Sequence, residues 1–279
     1  VMTGGTITQS VACKWVSGGS RCPFCKLAKE DPLHRLWQCP AWQRIRGNEL
    51  KGWTRRGMEL ILGPFAVLTG IMPTNHLLRA AQAAAESAGS WPCAMHLPGR
   101  VWTDGSCILP TDPYCRRAAW AVVCKVAMEY PTIAVALVCG RQTIGRAELS
   151  VILDLAMLRR YQAVIDAQYL VGCMQRCAGG APPEALLSGC NGDLWPVLAQ
   201  QVDLFWVKAH LDAPAAVIAG VSEVDRLGDD AADTACSTLA RACSPPAAIV
   251  ANRQAAVEAI DLAHQVFAVV QEAALAVHP

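Results

Sequence analysis

Between residues 100 and 243 the spacing of hydrophobic positions changes several times, and each change marks an element. "RVWTD" (100–104), "RAAWAVVCKVA" (117–127) and "PTIAVALVCG" (131–140) are short apolar runs rich in strand-forming residues. Gly and Pro separate them, so they read as three strands with hairpin connections. In "GRAELSVILDLAMLRR" (145–160) the period lengthens to about 3.6, with Leu149, Ile152, Leu153 and Ala156 on one stripe, which predicts a helix. "AVIDAQYLV" predicts a strand that stops at Asp166, followed by a short helix to about Cys173. The Gly- and Pro-rich stretch 177–196 reads as an exposed loop, and "QVDLFWVKAHL" (201–211) returns to strand. "GDDAADTACSTLARAC" (228–243) reads as a helix with Asp229 and Asp230 at its favourable N-terminal end. The order implies an α/β domain with a mixed sheet, whose strand carboxyl ends are the usual place for a ligand.

The flanks follow other patterns. Residues 1–56 hold only short apolar fragments and many breakers, too little for an independent apolar core. Residues 57–98 read as a helical linker whose "LLRAAQAAAESAG" is a good helix former. The main domain is expected over 99–244. A long alanine-rich helix occupies 245–279, and its apolar face has three open destinations: the main domain, an absent partner domain, or a coiled pair.

Composition changes this picture little, and charge distribution changes it more. With 53% hydrophobic residues in 279, the chain can bury a substantial core and carry a small accessory domain. Residues 1–60 carry ten basic and four acidic side chains, a net +6, which leaves −5 on the rest of a chain whose total is +1. A basic head on an acidic body points to a polyanionic partner at the head. No window of eighteen residues is apolar without interruption, and the N-terminus lacks the order of a secretory signal, so no membrane association is expected. The spacing of the fourteen cysteines favours a reducing, intracellular setting, with nucleus and cytoplasm both open.

The candidate chemistry of the main domain lies in carboxylates. Asp104 and Asp166 finish predicted strands, Glu148 is placed in the first turn of a helix, and Asp233 in the first turns of another. If the strands are neighbours, the four acids converge, and divalent metal relieves the repulsion that would otherwise raise their pKa values. Each has an ordinary alternative as a turn, cap or first-turn charge.

"TDGS" (103–106), "RAAWAVV" (117–123), "RAEL" (146–149), "IDAQYLV" (165–171), "VKAH" (207–210) and "GDDAAD" (228–233) stand in an order that resembles type I ribonuclease H domains, in particular those of non-long-terminal-repeat retrotransposons. The resemblance covers about 100–243. It implies a ribonuclease H-like mixed five-stranded sheet with flanking helices, and a nuclease that hydrolyses the RNA strand of RNA/DNA hybrids. It carries binding of two Mg2+ ions, with Mn2+ possible, to Asp104, Glu148, Asp166 and Asp233. To His210 it carries the role of a mobile proton-transfer or product-release residue. The chain is then expected to be the tail of a polyprotein that holds a reverse transcriptase domain. Two features depart from the family pattern: Asp229 stands where asparagine is more usual, and the interval from His210 to Asp233 is long. Lys208, Arg146, Arg116 and Arg117 are candidates for contact with the nucleic-acid backbone. The alternative is a catalytically silent domain of the same fold that binds nucleic acid or supports a polymerase. A DNA transposase or resolvase of similar fold is a third reading, against which "VKAH" followed by "GDDAAD" discriminates.

"CPFCKLAKEDPLHRLWQCP" contains Cys22, Cys25, His34 and Cys39 with C-x2-C-x8-H-x4-C spacing. Four protein ligands of these types suit structural Zn2+, with His34 and Cys39 about one helical turn apart. The element resembles the Cys-Cys-His-Cys segment that follows the reverse transcriptase of non-long-terminal-repeat retroelements. Lys14, Arg21, Lys26, Lys29, Arg35, Arg44 and Arg46 interleave with Trp15, Trp37 and Trp42 around it. Either these aromatics stack on single-stranded nucleic acid, or they form a small core around the zinc.

Overall fold

A computed structural model describes residues 20–50, 52–69, 71–72, 75–87, 99–158, 161–178, 191–194 and 202–277. The chain divides into two compact units, Val1–Asn75 with Pro246–Pro279, and His76–Pro245. The stretch 57–98, expected as one linker, is thus divided between them.

The first unit joins the two ends of the chain. A π-helical turn at His34–Gln38 and a 3-10 turn at Pro40–Trp42 lead into α1 (Gln43–Leu50), α2 (Arg55–Leu62) and α3 (Pro64–Thr69). The α2 start is capped by Thr54, whose side chain accepts from the Gly57 amide. These short elements share one core with the C-terminal helix, numbered α9 below (Ala247–Val277), through its buried Ile260, Ala263, Val266, Val270 and Ala274. Spacings of three and four residues keep that stripe on one face. None of the three destinations expected for the terminal helix is the one observed: it packs into the core that contains the Cys/His segment. By length and composition alone, α9 is also long and apolar enough to cross a membrane.

The second unit begins with α4 (His76–Ser87). Its sheet consists of β1 (Arg100–Ile108), β2 (Arg117–Val123), β3 (Thr132–Leu137), β4 (Tyr161–Ile165) and β5 (Val202–Trp206), in the order β3-β2-β1-β4-β5. The first three strands pair antiparallel, while β1 with β4 and β4 with β5 are parallel. Among the described residues, the unit's further helices are α5 (Ile144–Leu158), α6 (Gln168–Ala178), α7 (Ala213–Ala219) and α8 (Glu223–Ala242). This is the mixed five-stranded sheet with flanking helices that the sequence implies.

Strand alternation assigns the two faces. Ala118, Trp120 and Val122 of β2 join Leu149, Ile152 and Leu155 of α5 in the main core. Ala119 and Ala121, from the intervening positions, pack with Cys236 and Ala240 of α8, and Trp102 and Val123 pack with Ala232. Gly228 permits the close approach of α8, since a Cβ there would lie 2.3 Å from the Trp102 ring. Arg117, a candidate for nucleic-acid contact, is 2% exposed. Its guanidinium donates to Gln82 Oε1 at 2.8 Å and to the Cys243 carbonyl at 3.2 Å, so it ties α4 and the end of α8 to β2.

Candidate metal centres

The sequence places Asp104 at the end of a strand before a turn glycine, but β1 runs on to Ile108 and pairs Asp104 with Ala121. The reason lies in Gly105. A Cβ there would meet the Glu148 amide nitrogen at 2.7 Å and Ala147 Cβ at 2.8 Å, so glycine lets α5 cross against the strand without ending it. Asp104 therefore projects from mid-strand on the α8 face, as Trp102 does two residues earlier.

The parallel register aligns the second acid. Trp102 pairs with Val164, and two further residues along each strand bring Asp104 beside Asp166, just past the end of β4. Glu148 is the fifth residue of α5 rather than part of its first turn, because the helix begins at Ile144. Asp233 lies in the middle of α8, which starts at Glu223 after the N-cap Ser222. Glu223 and Asp225 occupy its first turn, the place expected for Asp229 and Asp230. The long interval after His210 contains α7, capped by Asp212.

The four acids meet as two overlapping triplets. Ligand oxygens of Asp104, Glu148 and Asp166 lie within 4.8 Å of one another, and so do donor atoms of Asp104, Asp233 and Cys236. Asp104 is common to both. His210 belongs to neither; it is exposed, with φ of 52°, beyond β5, and its charge acts on Asp166. Trp206 stands exposed at the same edge and donates its indole N–H to the Asp166 carbonyl at 3.0 Å.

Crowding these acids is electrostatically costly. Burial, then the Asp166 carboxylate, push Asp104 up to about 8 despite a 2.6 Å hydrogen bond from the Gly105 amide. Burial likewise raises Glu148 to about 7, with the Tyr169 hydroxyl opposing the rise and Asp166 adding to it. Asp166 is raised too, chiefly by burial. Asp229 is 7% exposed and is lifted to about 7 by burial and by Asp166, Asp230 and Asp233. Its carboxyl is thus part of the electrostatics of the site, outside both triplets. The triplet of Asp104, Glu148 and Asp166 fits a hard divalent cation: its donors are carboxylate oxygens, and Asp166 Oδ1 is buried without a hydrogen-bond partner.

The remaining nucleic-acid candidates divide. Arg146 is held by a bidentate pair with Asp193, at 2.9 and 2.7 Å, and donates to the Cys139 carbonyl. Arg116 is half-buried, whereas Lys208 is exposed.

In the first unit, donor atoms of Cys22, Cys25, His34 and Cys39 also lie within 4.8 Å of one another. Cys22 Sγ is 3.7 Å from Cys39 Sγ, and Cys25 Sγ is 3.3 Å from His34 Nε2. A tetrahedral zinc with Zn–S bonds of about 2.3 Å sets its sulfurs about 3.8 Å apart, so the cluster fits that ion. The π-turn explains the last spacing: the Cys39 amide donates to the His34 carbonyl at 2.7 Å, five residues back. At the first pair, the Leu27 amide points at Cys25 Sγ from 3.4 Å, next to Lys26 with φ of 61°. Burial opposes ionisation of Cys25, but the Leu27 amide, His34 and the neighbouring thiols bring it down to about 6. Burial drives Cys39 the other way, to about 12.

Trp37 and Trp42 are 8% and 6% exposed and belong to this unit's core. The stacking role is thus not theirs. Arg35 pairs with the fully buried Glu30 at 2.7 Å, and the buried Arg46 donates to the Cys39 carbonyl at 2.8 Å. Arg21, Lys26, Lys29 and Arg44 are exposed. Lys14 and Trp15 lie outside the described residues.

No family model matches the chain, and no curated protein matches it. Among solved structures it is similar to LC9-RNase H1, a type 1 RNase H with the type 2 active-site motif, at 19% identity and a TM-score of 0.32, over 52% of this chain and 75% of that one. It is also similar to the N-terminal RNase H domain of Rv2228c from Mycobacterium tuberculosis, solved as a fusion with maltose-binding protein, at 19% identity and a TM-score of 0.27. That match covers 51% of this chain and all of the other. Likenesses this distant carry no weight for activity.

Proposed function

We propose that the second unit is a metal-dependent endonuclease that hydrolyses the RNA strand of RNA/DNA hybrids. The observation that carries this reading is the meeting of Asp104, Glu148 and Asp166 from β1, α5 and the end of β4, with Asp104 shared by a second triplet that includes Asp233. The six ordered motifs supply the choice of substrate, and with it a place in a retroelement polyprotein beside a reverse transcriptase.

Divalent cations, when bound by these acids, would supply an activated water and stabilisation of the leaving oxygen in phosphodiester hydrolysis. Asp104, Glu148 and Asp166 would hold one such ion, and Asp104 with Asp233 a second. The Gly105 amide holds Asp104 Oδ1, and the parallel register sets Asp104 beside Asp166, before substrate arrives. His210, exposed beyond β5, would carry a proton to or from the leaving group. Trp206 offers an aromatic face at the same edge, and Lys208 a charge for a backbone phosphate. In the first unit, zinc on Cys22, Cys25, His34 and Cys39 would have a structural role, since all four positions are filled by protein.

End-labelled RNA/DNA hybrid, RNA duplex and DNA duplex incubated with the full chain and Mg2+ test the reading. The expected product comes from the hybrid's RNA strand only. Cleavage of DNA duplex in preference to hybrid would refute the substrate; hybrid binding with no cleavage in Mg2+ or Mn2+ would favour the silent domain.

A further inference from the structure

We propose that Cys236 is a metal ligand, and that the two positions sharing Asp104 differ in the ions they prefer. The inference rests on the carboxylate cluster being a metal site and adds a donor that the cluster's acids do not include. Cys236 lies one turn beyond Asp233 on the same face of α8. Its thiol is fully buried, 3.7 Å from Asp104 Oδ2 and 3.3 Å from the Asp233 carbonyl. Asp104 Oδ1 is occupied by the Gly105 amide, which leaves Oδ2 turned toward the sulfur. With Asp233, these donors lie within 4.8 Å of one another and form an O,O,S set.

A buried cysteine is ordinarily a small apolar filler, and the alanines at 119, 121 and 240 beside Cys236 suit that role. Its other side is polar: the thiol donates toward Asp104 Oδ2, and once deprotonated it would complete, with the two carboxylates, three corners around one cation. On the far side of Asp104, the orphaned Asp166 Oδ1 belongs to an all-oxygen set. Hard Mg2+ and Mn2+ suit that oxygen set, and borderline-soft Zn2+, Co2+ and Cd2+ suit the sulfur-bearing set. Binding at the second position forms a metal–sulfur bond and releases the thiol proton to solvent.

Cadmium NMR of the full chain tests this, with Mn2+ binding followed in parallel by electron paramagnetic resonance. Wild type is expected to give two cadmium signals, one from the Cys/His cluster and one from the O,O,S set. Cys236→Ser is expected to shift or lose only the second, to weaken its Cd2+ affinity by about tenfold or more, and to change Mn2+ affinity by less than about threefold. Cys236→Ala, checked by thermal melting, gives the same result where serine perturbs the fold. A second cadmium signal unchanged in both variants overturns the proposal, as does Mn2+ binding that requires Asp104 without any second cadmium signal. Absence of both Mn2+ binding and a second cadmium signal removes the carboxylate metal site itself, and the Cys236 role with it.

Discussion

The two candidate metal centres are built in opposite ways. All four donors of the Cys/His cluster fall within an eighteen-residue segment, Cys22 to Cys39, and short turns bring them together. The acidic cluster gathers Asp104, Glu148, Asp166 and Asp233 from separate elements across 130 residues of sequence. Their support reverses the contrast: the local cluster shares its core with Ile260 and Val266 from the far end of the chain. The dispersed acids are held by the contiguous sheet of a single unit. Ligand spacing and the core that holds the ligands are therefore separate properties, and a compact motif does not make an independent fold.

Zinc removal gives the sharpest contrast. Chelation, or Cys39→Ser, is expected to abolish cooperative folding of the first unit, because zinc in isolated finger peptides supplies about 10–16 kcal/mol. Hydrogen exchange should then show loss of protection in α9 as well as around the cluster, while amides of β1 and β2 stay protected. Protection retained in α9 would separate the terminal helix from the zinc-dependent core.

At the acidic centre, Asp104→Asn should lower cleavage by about 100- to 1,000-fold, the scale of removing one preorganised electrostatic group. The same substitution should stabilise the metal-free protein at pH 8, since it removes a buried charge. The centre should thus show function and stability opposed, unlike the Cys/His cluster, where one change removes ligand and fold together. Thermal melts of both proteins in chelator, with cleavage rates in Mg2+, check this.

The next effect is a pH trend. Asp104, Glu148 and Asp229 have folded values of about 8, 7 and 7, above those of unfolded carboxylates. Between about pH 4 and pH 8 the folded state holds protons that the unfolded state has lost, so stability falls as pH rises through this window. Metal-free protein should melt lower at pH 8 than at pH 5, on the order of 5–10 °C for a few kcal/mol in a domain of this size. Mg2+ should narrow the gap at pH 8, where fewer ligand protons remain to be displaced than at pH 5. Calorimetry in chelator and in Mg2+ measures both trends. The smallest effect is expected of His210→Ala: about tenfold slower cleavage with the melting temperature unchanged, because an exposed proton carrier contributes rate without packing.

Much of this was legible in sequence, for different reasons at each centre. Cys22, Cys25, His34 and Cys39 are readable because a local Cys/His cluster that could hold a metal ion carries its ligand spacing directly in the sequence. The strand and helix alternation set the sheet, and the ordered motifs marked Asp104, Glu148, Asp166 and Asp233. Spacing did not reveal that β1 continues past Asp104, since Gly105 resembles a turn residue until Ala147 and Glu148 are placed against it. Trp37 and Trp42 looked as suited to stacking as to burial, because their core includes residues of α9 more than 200 positions away. Cys236 gave one signal, its place three residues after Asp233, but that spacing becomes chemical only when β1 brings Asp104 opposite. Asp229 was visible as a departure, while its burial depended on where α8 began.

A Mg2+ titration of RNA-strand cleavage in a labelled hybrid, run on wild type and Asp104→Asn, tests whether Asp104 anchors an active metal centre. Wild type is expected to show saturable, Mg2+-dependent cleavage, and the variant little at any Mg2+ concentration. Equal cleavage by both, or cleavage that persists in chelator, would contradict an active metal centre at Asp104.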